Sequence, residues 1–326
     1  MSVLSIKDLS LEFRTFDGVY KAIDRVSIEL AQGEALGIVG ETGCGKSVLT
    51  RAAFGLVPTP PARITGGTVS FLDRDILGLP QNELRAMRGR DVAMIFQDPM
   101  TFINPVFKIG TQLIDSIRAQ RHVGRREARE IALDMLDKVQ LPNPARQMDS
   151  YPHQLSGGMR QRILIAMALA AEPKLLIADE PTTALDVTIQ AQILDLIAAL
   201  VEDMGISLIM ISHDLGVVAQ VCDRIAVMYA GQIVEDAPVS RIFDHPAHPY
   251  TKGLLAAVPH PFSPADTLSG IAGALPNLYE PPQGCRFAAR CAHASAQCRA
   301  ADIGFRHIAS GHAVACTLFE DEAAHV

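Results

Sequence analysis

The chain has no tryptophan and only 5% aromatic residues, so any large aromatic platform has to come from phenylalanine or tyrosine. It also lacks a long hydrophobic run. The longest uninterrupted apolar stretch, Ile163 to Ala171, stops at Glu172-Pro-Lys, well short of the roughly 20 residues that cross a bilayer. The first residues already carry Lys7 and Asp8 with no apolar segment before them, so a signal peptide is not expected and the chain is expected to stay in the cytoplasm. Net charge is −7 with no block of like charges, which argues against a nucleic-acid surface. The six cysteines contain no C-x₂-C pair, which argues against an ordinary zinc ribbon. What remains is a chain of 326 residues, 48% hydrophobic and 20% charged. That is enough for one large domain with an appendage.

The most informative stretch is Gly40-Glu41-Thr42-Gly43-Cys44-Gly45-Lys46-Ser47. It fits G-x-x-x-x-G-K-[ST] and lies between an apolar strand, Ala35 to Gly40, and a helical run beginning at Lys46. In that setting the pattern is a phosphate-binding loop. Glycines let successive N–H groups turn inward, and the helix N-terminus adds partial positive charge. Lys46 is expected to reach the β- and γ-phosphates and Ser47 to hold Mg²⁺. Far downstream, Lys174-Leu-Leu-Ile-Ala-Asp179-Glu180 is an apolar strand that ends in two carboxylates. Such a strand belongs in the interior of a parallel sheet. Asp179 is expected in the Mg²⁺ shell, with Glu180 as the base that polarises water.

Between these lies Leu155-Ser-Gly-Gly-Met-Arg-Gln161. Here the chain resembles the ATP-binding-cassette (ABC) ATPases, whose signature motif is LSGGMRQ. Other pieces of that family's set follow in order. Gln97, in Ile95-Phe-Gln-Asp-Pro99, is similar to the Q-loop glutamine. Ala184-Leu-Asp186 resembles the D-loop, and His213 in Ile211-Ser-His-Asp214 the switch histidine. The resemblance spans about residues 3 to 240. It implies ATP as substrate, a Mg²⁺ shell of Ser47, Gln97 and Asp179, and catalysis by Lys46, Gln97, Glu180 and His213. The residues show independently that Ser156, Gly157 and Gly158 precede a long helical run, which makes a second anion-binding helix terminus. The resemblance implies that this terminus and Asp186 close over the ATP of a second cassette paired head-to-tail. It also implies an adenine-stacking aromatic near the N-terminus, for which Phe16 and Tyr20 are the candidates. Cys44 stands where many relatives carry serine. It reads either as simple tolerance or as a thiol whose oxidation blocks the nucleotide.

The tail narrows the resemblance. His248-Pro-Tyr-Thr-x-x-Leu254-Leu is similar to the C-terminal extension of ATPases from oligopeptide, dipeptide and nickel importers. Four cysteines fall in this tail, Cys285, Cys291, Cys298 and Cys316, at spacings x₅, x₆ and x₁₇. Four clustered thiols in a cytoplasmic chain point to metal rather than disulfides. A [4Fe–4S] cluster is expected, with zinc and free or redox-paired thiols as the alternatives.

The expected fold is α/β: a P-loop NTPase ABC cassette with a RecA-like core, an antiparallel β subdomain and a helical subdomain over about 98–170. The cassette is expected over 1–240. A small Cys-rich C-terminal domain with the metal site is expected over 241–326. The expected function is ATP-driven import of di- or oligopeptides, with nickel or another small solute as the alternative cargo and a non-transport ABC ATPase as the remote one. The expected partners are a second ATPase subunit, in a heterodimer, and two membrane permeases. An extracytoplasmic solute-binding protein is an indirect partner, and no nucleic acid is expected. The expected location is the cytoplasmic face of the membrane, peripherally bound.

Overall fold

The computed structural model describes residues 2–97, 102–183, 186–257 and 270–320. Along the chain run β1 (Ser2–Thr15), β2 (Gly18–Ala31), β3 (Ala35–Val39), α1 (Lys46–Ala53), β4 (Ala62–Phe71), β5 (Arg74–Asp75), α2 (Gln81–Met87) and β6 (Val92–Ile95). A helical stretch follows with α3 (Ile109–Arg121), α4 (Arg125–Lys138), α5 (Pro144–Gln147) and α6 (Gly157–Leu169). Then come β7 (Leu175–Asp179), α7 (Val187–Met204), β8 (Ser207–Ser212), α8 (Leu215–Ala219), β9 (Arg224–Tyr229) and β10 (Gln232–Pro238). The chain closes with α9 (Val239–Asp244), α10 (Pro249–Ala256), α11 (Gln297–Ala300), β11 (Arg306–Ala309) and β12 (His312–Val314). Among the described residues no helix is long and apolar enough to cross a membrane.

The chain divides into two compact units. One comprises mainly residues 79–210. Its β6 and β7 pair in parallel, from Val92 opposite Leu175 to Ile95 opposite Ala178. Every residue of β7 and β8 is buried, the pattern of strands covered on both faces. The helices here owe their ends to local chemistry. In α7 Asp186 accepts from the Ile189 N–H at 2.9 Å, and Gly205 closes the helix in the left-handed conformation. Ile193, Leu196, Ile197 and Leu200 line its buried side.

The other unit comprises residues 2–30, 35–78 and 211–326. It holds an antiparallel sheet in the order β2-β1-β4-β5, with Leu4 opposite Phe71 and Ile6 opposite Val69. It also holds a run in the order β11-β12-β10-β9-β3. There β3 pairs with β9 in parallel, from Leu36 opposite Arg224 to Val39 opposite Val227, while β10 is antiparallel to β9 and to β12. Gly37 lets α8 close on β3: a Cβ at that position would lie 1.9 Å from Val218 Cγ1.

The expectation of a separate small Cys-rich C-terminal domain is corrected here. The β11–β12 hairpin adds to the edge of β10 and so extends the strand run that carries β3. A buried carboxylate ties it in. Glu235 on β10 accepts from the Ala247 and His248 N–H groups at 2.7 and 2.8 Å, and its Oε1 lies 2.8 Å from His312 Nε2. All four groups lie out of water, so the partners must be present for the carboxylate to be buried at all.

Candidate active site

In the second unit β3 leads straight into the loop Gly40–Ser47, and α1 begins at Lys46. Two glycines make the path possible. Gly40 has φ +156°, and a Cβ there would meet the Met228 carbonyl oxygen at 2.1 Å. Gly45 has φ +109°, and its Cβ would press on Met228 Cε at 2.9 Å and the Ala22 carbonyl oxygen at 3.0 Å. Gly45 also enters α1 with no side chain to cap the first turn, so no side chain competes with an anion at that helix N-terminus. Lys46 is 5% exposed. Its ammonium donates to the Gly40 and Glu41 carbonyls at 2.7 and 3.1 Å. These are neutral acceptors, which a polyphosphate can replace with stronger charged ones. Thr42 and Gly43 are exposed, and Ser47 is half-buried. Cys44 is fully buried and burial pushes its thiol up. Burial and a raised pKa favour the tolerance reading.

His213 belongs to this unit as well. It is exposed, immediately after β8, beside the turn in which Ser212 Oγ accepts from the Asp214 N–H at 3.0 Å. Of the two aromatic candidates, Phe16 at the β1–β2 turn is fully exposed. Tyr20 packs edge-on against Tyr279 with ring centroids 5.3 Å apart.

The first unit carries the other constellation. Asp179, last residue of β7, is 1% exposed. Glu180 follows with φ +48°, a left-handed conformation that costs a residue with a Cβ and so marks a site where geometry is imposed. Its Oε2 accepts from Gln97 Nε2 and from Thr183 Oγ1, both at 2.9 Å. The structure thus brings Gln97 onto the expected base itself. Thr183 was not anticipated: it lies inside a run of apolar and small residues with nothing in its spacing to single it out. Ser156 caps α6 by accepting from the Met159 N–H at 3.4 Å. Gly157 opens that helix, and Gly158 faces Ile189 so closely that a Cβ would stand 3.0 Å from its Cγ2. Asp186 caps α7. The remaining D-loop residues Ala184 and Leu185, and the Asp-Pro that follows Gln97, lie outside the described residues.

The iron–sulfur expectation is overturned. Cys285, Cys291, Cys298 and Cys316 do line one small cavity, together with His248 and His293. Yet among the described residues no group of three or more histidine, cysteine, aspartate or glutamate side chains is placed to hold a metal ion. Burial pushes the Cys285 thiol up to about 11 and raises Cys316 as well, whereas hydrogen bonds from Ser295 and Thr317 lower Cys298. The Cys298 sulfur is engaged by the Ser295 and Thr317 hydroxyls at 3.5 and 3.3 Å. All six cysteines are free thiols.

Arg290 and Tyr250 are two further residues that sequence reasoning missed. Both touch Glu41 of the loop. They stand in stretches quoted above only for their histidine-proline and cysteine patterns, and no local signal ties either to position 41.

Comparison with known proteins adds the following. The family model described as ABC transporter matches residues 23–183, and that of the oligopeptide/dipeptide transporter C-terminal region matches residues 234–298. The chain is 47% identical over 323 residues to the dipeptide transport ATP-binding protein DppD of Bacillus subtilis, covering 99% of this chain and 96% of that protein. It is 49% identical over 293 residues to the oligopeptide transport ATP-binding protein OppD of the same organism, covering 90% of this chain and 82% of that one. Among solved structures, a dimeric ATP-binding cassette in a post-hydrolysis state with ADP and Pi aligns with a TM-score of 0.65 at 26% identity, over 72% of this chain and 98% of that chain.

Proposed function

The chain belongs to the ATP-binding proteins of oligopeptide and dipeptide ABC transporters, and from that premise we propose how its residues do the work. It is an ABC-cassette ATPase that uses ATP with Mg²⁺ to drive peptide import. The nickel and small-solute alternatives are not favoured, since the similar proteins are named for dipeptides, oligopeptides and peptides. The functional division is a cassette over 1–240 and an extension over 241–326.

The observation that carries the reading is the loop Gly40–Ser47, with the Lys46 ammonium lodged on two loop carbonyls beneath uncapped helix amides. Lys46 and those amides bind the phosphates. The residues fit Mg²⁺, which takes hard oxygen donors and usually one or two carboxylates beside the substrate's phosphates: Asp179 supplies a buried carboxylate, Ser47 a hydroxyl and Gln97 an amide oxygen. Held by these residues, Mg²⁺ would supply charge neutralisation for the phosphates. Glu180 orients the attacking water and takes its proton, with Gln97 and Thr183 holding its carboxylate until substrate arrives. His213 steadies the γ-phosphate against that base. Phe16 stacks on adenine. Ser156, Gly157, Gly158 and Asp186 complete the site of a partner cassette, which is a second, different ATPase subunit. The pair sits on the cytoplasmic face of two membrane permeases, and a solute-binding protein delivers the peptide from outside.

The test is Glu180→Gln in the assembled transporter. ATP binding stays within a fewfold of wild type, while hydrolysis falls by about a hundredfold or more, the share a general base supplies. Near-normal hydrolysis would remove Glu180 from that role.

A further inference from the structure

Glu41, second residue of the phosphate loop, is gripped from far along the chain. Arg290 Nη1 donates to Glu41 Oε2 at 2.8 Å and Nη2 to Oε1 at 2.9 Å, a two-pronged pair. The Tyr250 hydroxyl accepts from the Glu41 N–H at 2.8 Å. Inside the loop the Glu41 carbonyl accepts from Lys46. Arg290 is itself fixed. Its side chain is 6% exposed, Nε donates to the Ala272 carbonyl at 2.9 Å and Nη2 to that of Ile271 at 2.8 Å. Its guanidinium carbon lies 5.8 Å from the ring centroids of both Tyr229 and Phe287. Those two rings pack on Tyr250, at 4.6 and 5.4 Å between centroids. One buried cluster therefore holds both grips on Glu41.

The electrostatics give this grip a purpose. Glu41 is the only acidic residue among Gly40–Ser47, and it stands where a triphosphate must bind. Left unpaired there, its carboxylate would repel the nucleotide. An arginine fork cancels the charge and fixes the orientation of the carboxylate, which a single ammonium does less well.

We propose that Arg290 is a positioning residue of the ATP site: acting through Glu41, it neutralises the one carboxylate of the phosphate loop and, with Tyr250, pins the loop in the shape that receives the β- and γ-phosphates. The segment beyond the cassette is thereby part of the nucleotide site and sets its affinity. This rests on the reading of Gly40–Ser47 as the ATP phosphate loop.

The experiment is an equilibrium titration of the full chain with a fluorescent ATP analogue and Mg²⁺, with thermal melting alongside. Arg290→Ala weakens binding by about tenfold, as an uncompensated charge beside a polyphosphate does. Arg290→Lys falls between it and wild type, since charge is kept but the fork is lost. Glu41→Gln combined with Arg290→Ala returns to within about threefold of wild type, a coupling that a merely structural arginine would not show. In the assembled transporter KM for ATP rises in Arg290→Ala while kcat stays within about twofold. Wild-type affinity in Arg290→Ala, or a double variant no better than the single one, overturns the proposal. Should Arg290→Ala fail to fold, Arg290→Lys decides: weaker binding at an unchanged melting temperature supports the proposal and wild-type binding overturns it. Lys46→Ala separates the two claims. If it too binds normally, the phosphate-loop reading fails and the proposal with it. If it loses binding while the arginine variants do not, the proposal alone fails.

Discussion

Tyr20 spends one edge of its ring on Tyr279, whereas Phe16 at the turn tip is wholly exposed. An exposed aromatic that stacks on a base contributes about 1–3 kcal/mol. Phe16→Ala is therefore expected to weaken nucleotide binding by roughly five- to a hundredfold, while Tyr20→Ala leaves affinity near wild type and lowers the melting temperature. Equal affinity in Phe16→Ala, read by the same fluorescent titration, would reassign the adenine contact. At this scale the sequence was most legible where chemistry is local. The glycine–lysine loop and the Asp179-Glu180 pair announce themselves because each is one short run with a strand before it. Between Phe16 and Tyr20 it could not choose, because the deciding partner, Tyr279, is 259 positions away from Tyr20. The grip of Arg290 on Glu41 was invisible for the same reason: 249 positions separate them.

Elements were legible in proportion to their period. Helix α7, Val187–Met204, carries Ile193, Leu196, Ile197 and Leu200 at helical spacing and stops at Gly205, a pattern long enough to show in the sequence. The hairpin β11–β12 was not foreseen, since strands of four and three residues carry too few alternations to show a period. The start of α10 shows what such elements depend on. His248 is its N-cap, buried, and its Nδ1 accepts from the Tyr250 N–H at 3.1 Å. Burial lowers its pKa to about 4. The unfolded chain takes a proton at about 6.5, while the folded one resists until about 4. The stabilisation is thus complete above pH 6.5 and is lost as pH falls through that window, because protonation removes the acceptor and places a cation at a helix N-terminus. Denaturant unfolding at pH 7 and 4.5 is expected to show wild type losing about 2–3 kcal/mol more than His248→Asn, whose amide oxygen accepts without titrating. Equal losses would mean that His248 does not bring this pH sensitivity.

At the scale of the whole molecule, the fold class and the motor function followed from motif order, which is a property of the entire chain rather than of any one residue. The four cysteines were the instructive failure. Clustering in sequence suggested a shared site, and the four do line one cavity, but among the described residues no group of side chains is placed to hold a metal ion. The tail is instead a structural extension of the sheet and a brace on the phosphate loop. The central claim, that this chain is the hydrolysing motor of a peptide importer, is tested most directly by uptake of labelled dipeptide in cells whose only copy carries Glu180→Gln. The account predicts that uptake is lost although the transporter assembles and binds ATP. Uptake at the wild-type rate would contradict it.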